Sequence, residues 1–415
     1  MTTLSVFEHQ WLPIGGGSGA MLSERQAAAL ERLESSLPAG ALGWRRHGVK
    51  FTQYCGVLQL GGQTIEVLPK IARHDEDVVR SRSVLIKMLA SAGAFSEVPI
   101  GESMVSVQKA NLLDIFIDHF RASVEAQARH GLIRRYIDRE YSLPRVKGRI
   151  DIARQVRDNL VHPHITACRF DELERDNLFN QGLLCVLDLL ASRTANPVIR
   201  QRIFELMFHF GDVAHIAVAA SEIRSFQFTR NDDRWRPIFE QAALILEGLF
   251  PDVMAGEKPA LALLFDMNRL FERFVASRLR RGEREHSIQE QGPQRHLATN
   301  GNGKGAFLLK PDLVMTQKGR VAVIADTKWK LLDRDHRSWQ VSQADIYQML
   351  AYSHRYACSE VVLLHPYAHG KHEVEILERF KLLNPVVTIS LCGINVACDR
   401  GALSITHLLD SQVEV

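Results

Sequence analysis

The 415-residue sequence has no apolar run long enough to span a bilayer, which excludes a helical membrane protein. Its six cysteines (Cys55, Cys168, Cys185, Cys358, Cys392, Cys398) are scattered, with no C-x-x-C pair and no dense framework, so reduced thiols in a cytoplasm are expected. The opening residues MTTLSVFEHQ lack the basic start and apolar core of a secretory signal, and export by that route is not expected. No Gly-Lys-Ser/Thr follows the GGGSG at 15–19, which argues against a phosphate-cradling loop. No G-x-S-x-G supplies a serine nucleophile, and no internal repeat is evident. A net charge of +3 is too small to argue nucleic-acid binding for the whole chain, so any such signal must be local.

What is present is the composition of a soluble globular protein, 46% hydrophobic and 24% charged, at a length that calls for two or three domains. Ser23 and Gln26 predict a capping box for a helix over 22–36, and FTQYCGVLQLGGQTIEVLPKI predicts a β-hairpin over 51–71 turning at Gly61-Gly62. Helical spacing returns over 78–128. Residues 129–158 then hold nine Arg/Lys against four Asp/Glu, and the segment from Arg134 reads as strands bent at Pro144 and Gly148, a basic arm. A helical block follows over 176–249, broken near Asn196-Pro197 and around 221–233, and 251–259 reads as a linker. The remainder predicts helix 266–281, strands 306–316 and 320–330, helix 342–357, strand 360–366 and shorter elements at 384–396, an α/β layer order. The expected division is an α+β domain over 1–130, an arm with a helical connecting region over 131–250, and an α/β domain over 251–415.

The chemistry concentrates in KPDLVMTQKGRVAVIADTK, residues 310–328. Acidic residues within apolar, β-branched strands need a reason, and a divalent cation held by carboxylates is the commonest. Residues two apart in a strand share a face, so Asp326 and Lys328 point together. Two registers are open. A three-residue loop, 318–320, sets Asp312 across from Asp326. A two-residue loop at 318–319 sets Asp312 opposite Ala325 and turns Asp326 to the other face unless a bulge intervenes. In the first case Mg²⁺ held by Asp312, Asp326 and the Thr327 carbonyl would activate water and bind the scissile phosphate, with Lys328 orienting water or neutralising charge. The plain alternative is a pair of surface carboxylates with a solvated lysine.

Two helices add candidates. In the first, Met267, Leu270, Phe271, Phe274 and Val275 make an apolar stripe, Asp266 caps the start, and Glu272 lies on the stripe's edge, either reaching the sheet or pairing with an arginine. In the second, Ser342 and Asp345 form a capping signature, and Gln348 and Tyr352 share a polar face from which they would contact phosphate or the metal shell, or simply face solvent.

The set Glu272, Pro311-Asp312, Asp326-Thr327-Lys328 and Gln348-x-x-x-Tyr352 resembles the PD-(D/E)xK nuclease superfamily, in its branch with a Q-x-x-x-Y helix. The fuller strings FDMNRLFERFV, KPDLVM, ADTKWK and DIYQMLAY resemble the McrC family, nuclease subunits of McrBC-type 5-methylcytosine restriction systems. That resemblance covers about 265–356. It implies a restriction-endonuclease-like domain, a mixed sheet flanked by helices, that cuts modified DNA with Mg²⁺, Glu272 joining the metal ligands. It also implies a hexameric AAA+ GTPase partner, related to McrB, which the arm enters and stimulates. Arg145, Lys147 and Arg149 are then candidates for contacting partner or DNA, against a plain basic surface loop.

Two other readings remain: a stand-alone repair nuclease, and a regulatory subunit of an NTPase that holds DNA without cutting. His162-Pro163-His164 reads as a solvent loop rather than a metal site, His365, His369 and His372 as a loop near the cleft, and NGNGKG at 300–305 as a loop before a strand.

Overall fold

Tyr54–Leu60 and Gln63–Leu68 pair antiparallel, as the alternation at 51–71 requires. The computed structural model describes residues 2–15, 21–60, 63–71, 77–92, 111–162, 164–254, 259–333, 336, 339–367, 372–383, 386–398, 402–404 and 409. Most of the GGGSG stretch, the expected turn at 61–62, the helical spacing between 93 and 110, Pro163 and His369 lie outside these. Two units result, one formed by Met1–Leu112 and Leu249–Val415, the other by Leu113–Gly248.

In the first unit a five-stranded sheet runs in the order Thr2–Phe7, Gln63–Leu68, Tyr54–Leu60, Pro259–Asp266, Leu249–Met254. The stretch expected as a linker over 251–259 is therefore largely strand, with 255–258 outside the described residues. The reason is long-range: ALALLFD finds its partner, YCGVLQL, some two hundred residues earlier. The segments expected as separate first and third domains thus share a sheet. At their seam Gly56 has φ +144°, and a Cβ there would lie 2.0 Å from the Leu263 carbonyl oxygen, so only glycine lets the strands approach. The sheet, a small three-stranded sheet and the helix Glu24–Glu34 enclose a core that includes Leu30, Leu33, Phe51, Leu58, Ile65 and Ala260. The Ser23/Gln26 capping box is present.

Asp266 ends its strand and caps Met267–Gly282, accepting from the Asn268 N–H at 2.9 Å. A six-stranded mixed sheet follows, ordered Ser287–Glu290, Leu313–Gln317, Arg320–Thr327, Glu360–Tyr367, Val386–Asn395, Val374–Leu383. Arg320–Thr327 and Glu360–Tyr367 are parallel neighbours, and the helix Gln343–Tyr356 makes the crossover parallel strands need. Val314, Ile324, Val361, Leu363, Ile389 and Leu391 face that helix, packed with Met349, Tyr352 and Tyr356. Leu313, Met315, Val323, Ala325, Val362 and Leu364 are equally buried on the alternate positions, so these central strands are covered on both faces.

Three expectations are corrected here. The strand expected over 306–316 is two, Gly305–Leu309 and Leu313–Gln317, in different sheets, because Pro311 between them has no N–H for a ladder. The short elements expected at 384–396 are one arm of a long hairpin. His365 is not on a loop: it is fully buried within Glu360–Tyr367.

The second unit contains the arm, a three-stranded sheet ordered Arg135–Leu143, Thr166–Glu174, Arg149–Ile150, with the short helix Ile152–Asp158. Its helices Leu178–Arg193, Pro197–Met207 and Arg236–Glu247 follow the expected break at Asn196-Pro197, where the Asn196 side chain caps the second. No helix among the described residues is long and apolar enough to cross a membrane.

Candidate active site

The 313–327 hairpin turns through Lys318-Gly319, both at positive φ (50° and 77°), a two-residue geometry matched to the twist of the strands. That turn pairs Gln317 with Arg320 and Thr316 with Val321. One residue later the ladder slips: Met315 pairs with Val323, leaving Ala322 extra, and Leu313 pairs with Ala325. Of the two expected registers the loop is therefore the shorter one, and the bulge cancels its effect. Continuing the register by one residue sets Asp312 across from Asp326. Asp326 shares its alternation with Ile324 and so looks toward the helix Gln343–Tyr356.

Asp326 is 1% exposed. Burial, with the charge of Asp312 nearby, pushes its carboxyl up to about 7. The Lys328 ammonium lies against Asp326 Oδ2 and is also 3.3 Å from Gln348 Oε1. Burial pulls the Lys328 pKa down, but Asp326 outweighs it and the net shift is upward, so Lys328 is a cation at neutral pH. Asp312 Oδ2 accepts from the Thr327 backbone N–H at 2.7 Å and from its hydroxyl at 2.8 Å. These bonds hold the hairpin's two acidic ends together.

Glu272 sits half-buried, one turn and a half into its helix, and its partner is not an arginine. The Gln291 side-chain amide donates to Glu272 Oε1 at 3.0 Å, while the Gln291 backbone N–H donates to the Asp312 carbonyl at 2.8 Å. Burial and the charge of Asp312 raise the Glu272 carboxyl. On the second helix Gln348 Nε2 reaches Asp326 Oδ1 at 3.5 Å and donates to the Tyr352 hydroxyl at 2.7 Å, which donates to the Lys310 carbonyl at 3.2 Å. Tyr352 is 2% exposed. The expected Q-x-x-x-Y pair is thus a relay from the acid–lysine pair to the strand end carrying Pro311-Asp312.

Among the described residues no group of three or more His, Cys, Asp and Glu is ready to hold a metal ion. Mg²⁺ asks for less: one or two carboxylates, with waters and a phosphate completing its shell. Asp312 and Asp326 fit that demand, because the pair carries negative charge that burial makes costly and that Lys328 only partly offsets. The bonds that Thr327 makes here are through its N–H and hydroxyl, so the expected role of its carbonyl remains a matter of donor chemistry.

Behind these residues is a buried contact that sequence patterns did not mark. Glu8, 3% exposed in the turn that follows the strand Thr2–Phe7, accepts from the Trp329 indole N–H at 2.9 Å and from the Lys70 backbone N–H at 2.9 Å. Trp329 follows Lys328 directly and packs on Phe271, whose ring centre is 5.5 Å away and which precedes Glu272. Burial raises Glu8 to about 7, against the pull of its two donors. The buried His365 has its Nδ1 3.0 Å from the Lys330 carbonyl. Burial lowers its pKa to about 4, so the ring is neutral and Nδ1–H donates.

Arg145, Lys147 and Arg149 fall on the arm, and all three are exposed. Lys147 is engaged, 2.8 Å from Glu172 and 4.0 Å from the Phe170 ring centre. Several of the segment's other cations are paired as well, Arg139 with Glu174, Arg135 with Asp232 and Arg157 with Asp158, while Arg169 of the strand Thr166–Glu174 pairs with the segment's Asp138. Apolar surface is what the arm displays: Tyr136 and Ile152 are each 73% exposed, and the helix Ile152–Asp158 buries none of its residues.

The family described as McrBC 5-methylcytosine restriction system component matches residues 49–366. No curated protein matches the chain. Among solved structures, a chain of the refined half-complex from the tetradecameric assembly of Thermococcus gammatolerans McrB AAA+ hexamers with bound McrC is 19% identical, with a TM-score of 0.70 over 95% of this chain and 94% of that one. A chain of the cryo-EM structure of the Thermococcus gammatolerans McrBC complex is 22% identical, with a TM-score of 0.53 over 66% of this chain and 86% of that one. At these identities the likeness is one of fold.

Proposed function

The chain belongs to the family of McrBC 5-methylcytosine restriction system components, and from that membership we propose that it is the Mg²⁺-dependent DNA-cutting subunit of a GTP-driven restriction pair. The observation that carries the reading is the convergence of Asp312, Asp326, Lys328 and Gln348 at the end of one bulged hairpin. Asp312 and Asp326 would hold the cation, with the Thr327 carbonyl and Glu272 as further oxygen donors. Bound there, Mg²⁺ supplies an activated water and a counter-charge for the scissile phosphodiester.

The chain's own groups do the rest. Lys328 is charged and donates rather than abstracts a proton; its ammonium, now against Asp326, would steady the attacking water or the charge growing on phosphate. Gln348 orients Asp326 and Lys328 together, and Tyr352 fixes Gln348. A cation held by Asp312 and Asp326 would offset their mutual repulsion.

The partner is a hexameric AAA+ GTPase of the McrB type, and DNA bearing methylcytosine is the substrate. Docking falls to the arm of the second unit, because its charges are largely paired and its apolar side chains are not covered within the chain. Asp326→Ala and Lys328→Ala should each abolish cleavage of plasmid DNA while leaving co-purification with the GTPase intact. Cleavage retained by either variant would sink the site assignment.

A further inference from the structure

The loop NGNGKG at 300–305 is the tip of a two-stranded hairpin, Arg295–Thr299 paired with Gly305–Leu309, that stands apart from the larger sheets. Every residue from 296 to 305 is exposed, so packing does not explain why the hairpin exists. An isolated two-stranded hairpin is marginal in water and needs an anchor. The anchor here is the helix Gln343–Tyr356. Arg355 donates to the His296 carbonyl at 2.6 Å, Arg295 stacks 4.8 Å from the Tyr356 ring centre, and the Tyr356 hydroxyl donates to the Pro293 carbonyl. One turn back on the same helix, Tyr352 holds the Lys310 carbonyl, and one turn further Gln348 reaches Asp326. A single stripe at 348, 352 and 356 therefore ties the hairpin to the acid–lysine pair.

The hairpin's chemistry is lopsided. From Gln291 to Pro311 there is no Asp or Glu, while Arg295, Lys304 and Lys310 are cationic. Phe307 is 74% exposed at φ 58°, a left-handed backbone that is an outlier for a bulky side chain, and it interrupts the ladder between the His296–Leu308 and Ala298–Ala306 pairs. Leu308 beside it is 54% exposed. An apolar wedge between cations, with a small, glycine-rich tip, suits a polyanion with stacked bases. The chain runs directly from this hairpin into Pro311-Asp312, so a duplex whose phosphate lies at Asp312 passes along it.

We infer that the Arg295–Leu309 hairpin is a DNA-gripping finger that contacts the backbone through Lys304 and a groove through Phe307 beside the scissile phosphate. This rests on the reading of the site as a DNA phosphodiesterase. The test uses the full chain and a fluorescein-labelled duplex, with Ca²⁺ in place of Mg²⁺, followed by anisotropy across a salt series. The double variant Lys304→Gln/Phe307→Ala should bind about tenfold more weakly, with the salt slope reduced by about one, the loss of one phosphate contact. Its thermal midpoint should match the parent's, since both side chains are exposed. Equal affinity and slope, or no binding by the parent chain, overturns the inference. So does a variant that binds DNA normally but no longer associates with the GTPase, which would make the hairpin a protein contact. Asp326→Ala, assayed alongside with the GTPase partner, GTP and Mg²⁺, should lose cleavage. Cleavage by Asp326→Ala together with weakened binding by the hairpin variant would overturn the catalytic site and leave the finger standing.

Discussion

Asp326 and Glu8 are both buried carboxyls raised to about 7, yet their surroundings differ. Asp326 faces an ammonium and a second carboxylate, the setting of a group that works as an anion with a cation's help. Glu8 faces two N–H donors and no metal candidate, the setting of a structural acceptor. Because burial sets the folded pKa of Glu8 above its ordinary 4.5, its favourable contribution is complete below about 4.5, declines as pH rises, and is lost beyond about 7. Glu8→Gln keeps an acceptor for Trp329 and removes the titration. Calorimetry from pH 5 to pH 8 should show the variant losing less stability than the parent, by on the order of 2–3 kcal/mol; an identical pH slope would contradict the assignment. Tyr352→Phe removes only the hydroxyl that steadies Gln348 and ties Lys310. Relatively little stability and about 10- to 100-fold of cleavage rate should be lost, the scale for groups that orient metal-site residues. An unchanged rate would make the relay incidental.

At the scale of elements, the hairpin's function depends on where one extra residue goes. Were Ala322 paired with Met315 over the same two-residue turn, Asp312 would face Ala325 and Asp326 would turn to the opposite face; removing Ala322 takes out only the bulge and keeps Asp312 across from Asp326. The Ala322 deletion should therefore keep its strand content and its cleavage, whereas deletion of Ala322 and Val323 together, which sets Asp326 opposite Leu313, should lose cleavage; circular dichroism and a nicking assay check both, and a cutting double deletion would refute the register. The sequence left this choice open because turn and bulge cancel, and only the acidic residues hinted at the outcome. Local signals were legible: the Ser23/Gln26 and Ser342/Asp345 boxes and the Asp266 cap all formed, because each is decided within four residues. Signals that depend on distant partners were not. The 251–259 stretch read as a linker because the partner of the ALALLFD that follows it, YCGVLQL, lies some two hundred residues earlier, and Glu8 carried no mark that it would meet Trp329, 321 residues away. The strand expected at 306–316 ran too far because its apolar pattern continued across a proline that ends the ladder.

At the scale of the whole chain, the division of labour follows from what each unit exposes. One unit buries an acid–lysine pair beneath a relay and raises a basic hairpin beside it; the other displays apolar side chains over paired charges. The candidate site residues were legible in the sequence because acids among Val and Ile are conspicuous, whereas the arm's basic run suggested charge as its working feature until Arg135, Arg139, Lys147 and Arg157 were found paired within the chain. The central claim is that this chain cuts DNA when a GTPase partner is at work. The direct measurement is scission of methylated and unmethylated plasmid by the purified chain with that partner, with and without GTP and Mg²⁺. Cutting of the methylated plasmid only when GTP and Mg²⁺ are both present is the expected result. Partner-stimulated GTP turnover with Mg²⁺ and no scission of either plasmid would contradict it.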